Sequence, residues 1–150
     1  TAVMFPKSSL KLVEGVYKNN PVSDHFNAVL VDVLGTWMKA RVAHDPAARV
    51  RILEVRAGTG GTSARVFPAL RPYQDNIAEY CYTDLSKAFL MHAQREFGLA
   101  NPYLAYRLFD AGKPLDGQGI DAQAYDVVIA TNVLHATTNI RNRLRKVKAT

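Results

Sequence analysis

The chain has 150 residues, of which 48% are hydrophobic and 21% charged, as expected for one ordinary globular domain and not for a disordered or fibrous chain. No apolar run approaches the roughly 18 to 20 residues of a membrane span, and the N-terminus lacks a signal-peptide pattern, so we predict a cytoplasmic location and no membrane contact. Cys81 is the only cysteine, which excludes an internal disulfide and a cysteine-rich zinc site, and no metal site is predicted.

The net charge of +6 is distributed unevenly along the chain. Five of the 19 basic residues lie in the last ten positions, so residues 1–140 hold fourteen basic and thirteen acidic groups. In this tail Ile140, Leu144 and Val147 recur at helical spacing and predict an amphipathic helix. Its basic face is either solvated or turned to an acidic partner. Because the excess charge is confined to the tail, we do not expect binding to nucleic acid.

The predicted elements begin with residues 1–22, which show little periodicity and are interpreted as a connector or lid. From Ser23 to Asp45 apolar side chains repeat at helical spacing, which predicts a helix of about five turns with Ser23 as its N-cap. Short apolar strands and helical stretches then alternate. The predicted strands are 51–55, 77–84, 103–110 and 125–131, and the predicted helices between them start at Thr62 or Ser63 and at Ser86.

This alternation with short links predicts an α/β fold with a parallel, doubly wound sheet and right-handed crossovers. Residues 23–150 are predicted to form the ligand-binding domain. Only four strands can be recognised in it, so we expect the domain to be incomplete at its C-terminus, with the chain truncated after the fourth strand. That strand would then lie at the edge of the sheet.

A glycine-rich loop follows the first strand in Glu54-Val-Arg-Ala-Gly-Thr-Gly-Gly-Thr62. Its glycines, 58, 60 and 61, allow positive φ angles and a close approach of backbone to ligand, before a helix N-terminus. The pattern Glu-x-x-x-Gly-x-Gly-Gly differs from the G-x-G-x-x-G of dinucleotide sites and favours S-adenosylmethionine. Asp84 ends the second strand where such units place their ribose-binding acid. Asn132 and His135 follow the fourth strand at the same predicted edge.

Three stretches closely resemble the S-adenosylmethionine-dependent methyltransferase domains of modular polyketide synthases: Glu54–Thr62, Tyr82–Phe89 and Asp126–Thr137. Residues 12–21 also resemble the segment that precedes the cofactor fold in that family. The resemblance implies a Rossmann-like class I methyltransferase fold. It implies methyl transfer to a polyketide intermediate on an acyl carrier protein, beside neighbouring synthase domains, usually at the α-carbon of a β-ketoacyl thioester.

The resemblance also assigns roles to individual residues. The loop would hold the methionine portion of the cofactor, Asp84 the ribose hydroxyls, Asp110 with Ala111 the adenine edge, and Asn132 the methionine end. His135 matches the catalytic base of that family. This role is chemically reasonable, because a neutral imidazole can take a proton from an acidic α-carbon near pH 7. The implied cofactor contacts are Glu54, Ala57, Gly58, Thr59, Gly60, Gly61, Asp84, Leu85, Asp110, Ala111 and Asn132.

Two departures from the family pattern keep alternatives open. Arg56 stands where the family has the first glycine of its loop, and its guanidinium either obstructs the cofactor or pairs with the methionine carboxylate. The glutamate that partners the catalytic histidine in this family falls beyond Thr150. The alternatives to C-methylation are O-methylation of the same carrier-bound chain and a non-catalytic structural domain. A nucleic-acid methyltransferase is disfavoured because no Asn-Pro-Pro-Tyr-like motif follows the fourth strand.

Overall fold

The computed structural model describes residues 2–6, 11–13, 21–110, 112–114 and 117–131. The predicted tail helix, Ala111, Asn132 and His135 lie outside the described residues. The helices are α1 (Pro21–His44), α2 (Ser63–Leu70) and α3 (Lys87–Phe97), with 3₁₀ turns at Arg71–Asn76 and Ala122–Ala124. The strands are β1 (Ala2–Pro6), β2 (Lys11–Val13), β3 (Val50–Val55), β4 (Ile77–Asp84), β5 (Leu104–Leu108) and β6 (Val127–Thr131).

The described strands form one sheet in the order β2-β1-β6-β3-β4-β5. Strands β6, β3, β4 and β5 pair in parallel, which confirms the four predicted strands and the Rossmann-like arrangement. Most side chains of β3, β4 and β6 are buried, as is typical of strands that are covered on both faces. Because all four run in the same direction, the loops after them meet at one edge of the sheet.

The prediction that the fourth strand lies at the edge of the sheet is wrong. Strand β1 pairs antiparallel with β6, from Ala2 opposite Thr131 to Pro6 opposite Val127, and β2 pairs antiparallel with β1. This pairing gives the outer backbone groups of β6 hydrogen-bond partners that an edge strand lacks. A segment of five residues is too short for periodicity to reveal it as a strand, and its partner is distant in the sequence.

Helix α1 is longer than predicted, since it begins at Pro21 and not after Ser23. Proline is favourable in a first helical turn, where its missing N–H would have no partner in any case. The predicted boundary between residues 22 and 23 therefore falls inside the helix. One side of α1 is fully buried through Leu30, Leu34 and Met38, whose four-residue spacing matches the predicted stripe.

The predicted cap at Ser86 is confirmed, because its hydroxyl accepts the N–H of Phe89 at 3.4 Å. The predicted position of the α2 cap is confirmed, but the side-chain hydrogen bond of a cap is absent. Thr62 occupies the N-cap position without a capping bond, and its hydroxyl donates to Asn27 instead. Gly98 ends α3 with a helical φ of −62°.

The sheet is covered on both faces. The side chains that point to α1 and α2 form one core, which includes Ile52, Tyr80 and Ile129. Cys81 points to the opposite face and is fully buried. Burial raises the pKa of its thiol to about 11. No helix in the described part of the chain is long and apolar enough to cross a membrane. The core on the Cys81 face consists of Leu53, Val55, Cys81, Phe109, Ile120, Tyr125, Val128 and Ala130.

Candidate functional site

The carboxyl ends of three parallel strands bring the glycine loop, Asp84 and Asp110 to one edge of the sheet. The backbone N–H of Gly58 donates to Asp84 Oδ2 at 2.9 Å, which joins the loop after β3 directly to the last residue of β4. The N–H of Phe109 donates to the backbone carbonyl of Asp84 at 3.0 Å, which holds the end of β5 beside it. The structure thus brings together sequence-predicted residues that lie up to about fifty positions apart.

Strand β4 fixes the conformation of the loop through three hydrogen bonds. The first is the bond from Gly58 to Asp84. The N–H of Ala57 donates to the carbonyl of Thr83 at 2.9 Å, and the hydroxyl of Tyr82 donates to the carbonyl of Gly58 at 2.7 Å. The sequence interpretation missed this role of Tyr82. Its position two residues before Asp84 was the available signal, since side chains at i and i+2 of a strand share a face.

Two of the three loop glycines need the left-handed conformation. The φ angles of Gly58 and Gly60 are 62° and 88°, whereas Gly61 has no positive φ. A Cβ atom at Gly60 would lie 2.6 Å from Cε2 of Phe97, while one at Gly61 would meet nothing within 4 Å. Gly60 is therefore required by packing and backbone geometry, and Gly61 leaves the outer side of the loop accessible to a ligand.

We expect Gly60→Ala to lower the free energy of unfolding by about 1–3 kcal/mol, because it combines a strained φ with displacement of the Phe97 ring. Gly61→Ala is the matched control, and we expect it to change the free energy of unfolding by less than about 0.5 kcal/mol. Urea denaturation of both variants measures the difference. Equal stability of the two variants would show that the ring and the loop adjust without cost.

Asp84 is 6% exposed and its carboxylate is oriented by the backbone. Oδ2 accepts from Gly58, and Oδ1 accepts the N–H of Ser86 at 3.0 Å. A carboxylate offers about four lone-pair positions, so two further donors can be accommodated. A vicinal diol supplies two such donors, which is the chemistry that the predicted ribose role requires.

Glu54 is fully buried behind the loop and not at its surface. Its Oε1 accepts hydrogen bonds from the hydroxyls of Ser63 and Tyr80, while Oε2 has no partner among the described residues. Burial raises the pKa of the carboxyl group, and the two hydroxyl bonds oppose that shift. A buried acceptor without a partner costs free energy.

The raised pKa of Glu54 makes stability depend on pH. The pKa of Glu54 in the folded protein lies above the ordinary value of 4.5. Its protonated carboxyl group therefore contributes fully to the free energy of unfolding below pH 4.5, and this contribution is lost as the pH rises through the folded pKa. Glu54→Gln stays neutral, so we expect its stability relative to the parent to increase from about pH 4.5 upward, by at most about 1.4 kcal/mol per pH unit. Glu96→Gln, on the exposed side of α3, is the control. Parallel pH profiles for Glu54→Gln and the parent protein would contradict the raised pKa.

Arg56 occupies a strained position at the start of the loop. Its φ is 53°, and every other described residue with positive φ is a glycine. Its side chain is exposed and forms no hydrogen bond or ion pair with a described residue. The left-handed conformation costs a non-glycine residue about 1–2 kcal/mol, and no described contact of the side chain offsets this cost.

We therefore expect Arg56→Gly to raise the free energy of unfolding by about 0.5–1 kcal/mol. The relief of about 1–2 kcal/mol of steric strain exceeds the entropy cost of a glycine, which is about 0.5–1 kcal/mol. Arg56→Ala keeps the strain and is the matched control, without an expected gain. Thermal denaturation of the two variants tests this account, and a gain in Arg56→Ala as large as that in Arg56→Gly would contradict it.

Asp110 lies just beyond β5 and is half-buried. Its N–H donates to Gln118 Oε1 at 2.7 Å and its Oδ1 accepts the N–H of Gly112 at 2.9 Å, so Gly112 and Gln118 hold it in place. Two large apolar side chains at this edge are exposed, Leu85 at 48% and Leu108 at 52%. The edge therefore combines acids with apolar surface, as binding of a nucleoside requires.

The described residues contain no cluster of three or more His, Cys, Asp and Glu side chains that could hold a metal ion. Thr59 is exposed at the tip of the loop. The structure does not describe Ala111, Asn132 or His135, so their predicted roles remain predictions.

Comparison with known proteins supports a methyltransferase origin for this site. A family model described as a methyltransferase domain matches residues 53–150. Over 149 residues the chain is 61% identical to polyketide synthase PksM and 58% identical to polyketide synthase PksR, both from Bacillus subtilis (strain 168). In each case 99% of this chain is covered.

A solved structure also matches. The DszA carbon methyltransferase is 40% identical, with a TM-score of 0.74 over 88% of this chain and 34% of that one. The chain spans 4% of PksM and 6% of PksR. It therefore corresponds to one small region of those large synthases, and to about a third of the solved methyltransferase.

Proposed function

Because the chain belongs to the family of methyltransferase domains, in the group found within polyketide synthases, we propose that it methylates the α-carbon of a β-ketoacyl chain. The methyl donor is S-adenosylmethionine and the acceptor is carried on an acyl carrier protein. The observation that carries the proposal is the bond between Gly58 and Asp84, which joins the glycine loop to the ribose-binding acid. The 40% identity to a protein named as a carbon methyltransferase supports carbon as the methylated atom.

The residues at the sheet edge fit S-adenosylmethionine. The two remaining acceptor positions of Asp84 suit the ribose diol. Glu54 is fully buried, and in this proposal it supports the start of α2, directly after the loop, through its hydrogen bond from Ser63. The loop Ala57–Gly61 allows close backbone approach, because no atom lies within 4 Å of a Cβ position at Gly61.

The adenine end of the cofactor requires an apolar slot with a polar edge. Leu85 and Leu108 are the exposed apolar side chains beside Asp84, and they can cover the faces of a planar ring. Asp110 can accept from an exocyclic amine while its hydrogen bonds with Gly112 and Gln118 keep it in position. Ala111 follows directly in sequence, and we propose it as part of the same edge.

When bound, the cofactor supplies an electrophilic methyl group. His135 takes a proton from the α-carbon of the substrate, which is acidic because it lies between a ketone and a thioester. The neutral imidazole is the competent form, and histidine side chains in general are largely neutral at pH 7. Asn132 holds the methionine end of the cofactor. Orientation of the two reactants at one sheet edge supplies much of the acceleration.

We propose that the domain works beside other polyketide synthase domains, which present the carrier-bound chain to it. Its curated relatives are far longer than this chain, as an assembly of many domains requires. Neither nucleic acid nor membrane is proposed as a partner. O-methylation and a purely structural role remain the alternatives that experiments must distinguish.

Titration of S-adenosylmethionine into the protein by calorimetry tests the cofactor assignment. We expect one saturable site, and competition by S-adenosylhomocysteine, which has the same adenosine and amino acid portions. Nicotinamide adenine dinucleotide is the control ligand and should not compete, because the loop lacks the G-x-G-x-x-G pattern. A folded protein that binds neither adenosyl ligand would support the structural role and contradict the enzyme.

A further inference from the structure

Arg56 is the described residue whose conformation is least explained by the fold. It adopts a left-handed φ of 53° where the other positive φ angles belong to glycines. A strained non-glycine residue at a candidate site is a reason to look for a function of its side chain. The strain is local, since the loop that follows keeps its hydrogen bonds to β4.

The guanidinium of Arg56 is available for a ligand. It is exposed, and no ion pair joins it to a described acidic side chain. Glu54 accepts from Ser63 and Tyr80, and Asp84 accepts from two backbone N–H groups. The nearest sequence neighbours of Arg56, Val55 and Ala57, are buried and apolar. The cation therefore stands at the start of the loop without a described anion.

We propose that Arg56 binds the α-carboxylate of the methionine portion of S-adenosylmethionine. This inference rests on the proposed function, in which the loop after Arg56 holds that portion of the cofactor. The carboxylate is the only anionic group of the cofactor, and the planar guanidinium can bind it through two parallel hydrogen bonds.

Two adenosyl ligands distinguish carboxylate binding by Arg56 from obstruction of the cofactor site by its side chain. S-adenosylhomocysteine carries the carboxylate and lacks the cationic sulfonium, whereas 5′-methylthioadenosine lacks the whole amino acid. Arg56→Gln removes the charge but keeps a long side chain and the strained φ, and Arg56→Lys keeps the charge. Calorimetric titration of both ligands into the parent and the two variants gives the comparison.

We expect Arg56→Gln to weaken S-adenosylhomocysteine binding by about 10- to 100-fold, the range for hydrogen bonds to a charged group. Binding of 5′-methylthioadenosine should change less than twofold, and Arg56→Lys should retain part of the affinity. Unchanged or tighter S-adenosylhomocysteine binding by Arg56→Gln would overturn the proposal, as would equal weakening of both ligands. If the folded parent bound neither ligand, the proposed function itself would be overturned.

Discussion

Replacing His135 with alanine is expected to slow methylation of a β-ketoacyl carrier substrate by about 10²- to 10⁴-fold, the usual effect of losing a positioned general base. Cofactor affinity should stay nearly unchanged, because the base acts on the acceptor and not on the cofactor. Mass spectrometry of the carrier-bound product measures the rate. His44→Ala, at the exposed end of α1, is the matched control and should methylate at the parent rate.

The pH dependence gives an independent test of His135. Only the neutral imidazole accepts the α-proton, so the rate of the parent should rise with pH through a group that titrates near 6.5. The residual activity of His135→Ala should lack this rise. Turnover of His135→Ala at the parent rate would exclude His135 as the base.

The second large effect is expected at Asp84. Asp84→Ala should weaken S-adenosylmethionine binding by about 1.5–3 kcal/mol, which is about 10- to 150-fold, the scale of a hydrogen bond to a charged group. The substitution also removes the acceptor of the Gly58 and Ser86 N–H groups, so it loosens the loop as well as the ribose contact. The loss should therefore lie toward the upper end of that range.

Asp84→Asn separates the two contributions, because its amide retains one oxygen as an acceptor for a backbone N–H while losing the charge. We expect its affinity to lie between those of the parent and Asp84→Ala. Asp32→Asn, on the exposed side of α1, is the control and should bind as the parent does. Circular dichroism checks that each variant is folded. A dissociation constant of Asp84→Ala equal to that of the parent would remove Asp84 from the site.

The parallel part of the fold could be predicted from sequence because each of its signals is local. The run from Val50 to Val55 is rich in branched apolar residues, and the glycines after it permit the tight loop that the structure shows. Asp84 was recognised from its distance to Gly58, and the two residues form a direct hydrogen bond. When the spacing of a motif is set by one supersecondary unit, the motif can be recognised without knowledge of the rest of the chain.

The features that escaped prediction depend on contacts between distant segments. The pairing of β1 with β6 joins residues more than a hundred positions apart. The sequence of neither strand indicates which strand it pairs with. Thr62 and Ser63 were predicted as caps from residue type alone, but Asn27 and Glu54 compete for their hydroxyls. The left-handed φ of Arg56 is likewise imposed by the loop around it, since arginine has no preference for that conformation.

The position of the transferred methyl group tests the central claim most directly. The protein would be incubated with a β-ketoacyl acyl carrier protein and S-adenosylmethionine carrying a ¹³C-labelled methyl group, and the released product examined by NMR. We predict the label on the α-carbon, with a methyl signal coupled to the single remaining α-proton. A label on oxygen would contradict carbon methylation and support the O-methyltransferase alternative, and an unlabelled product would contradict the proposed activity.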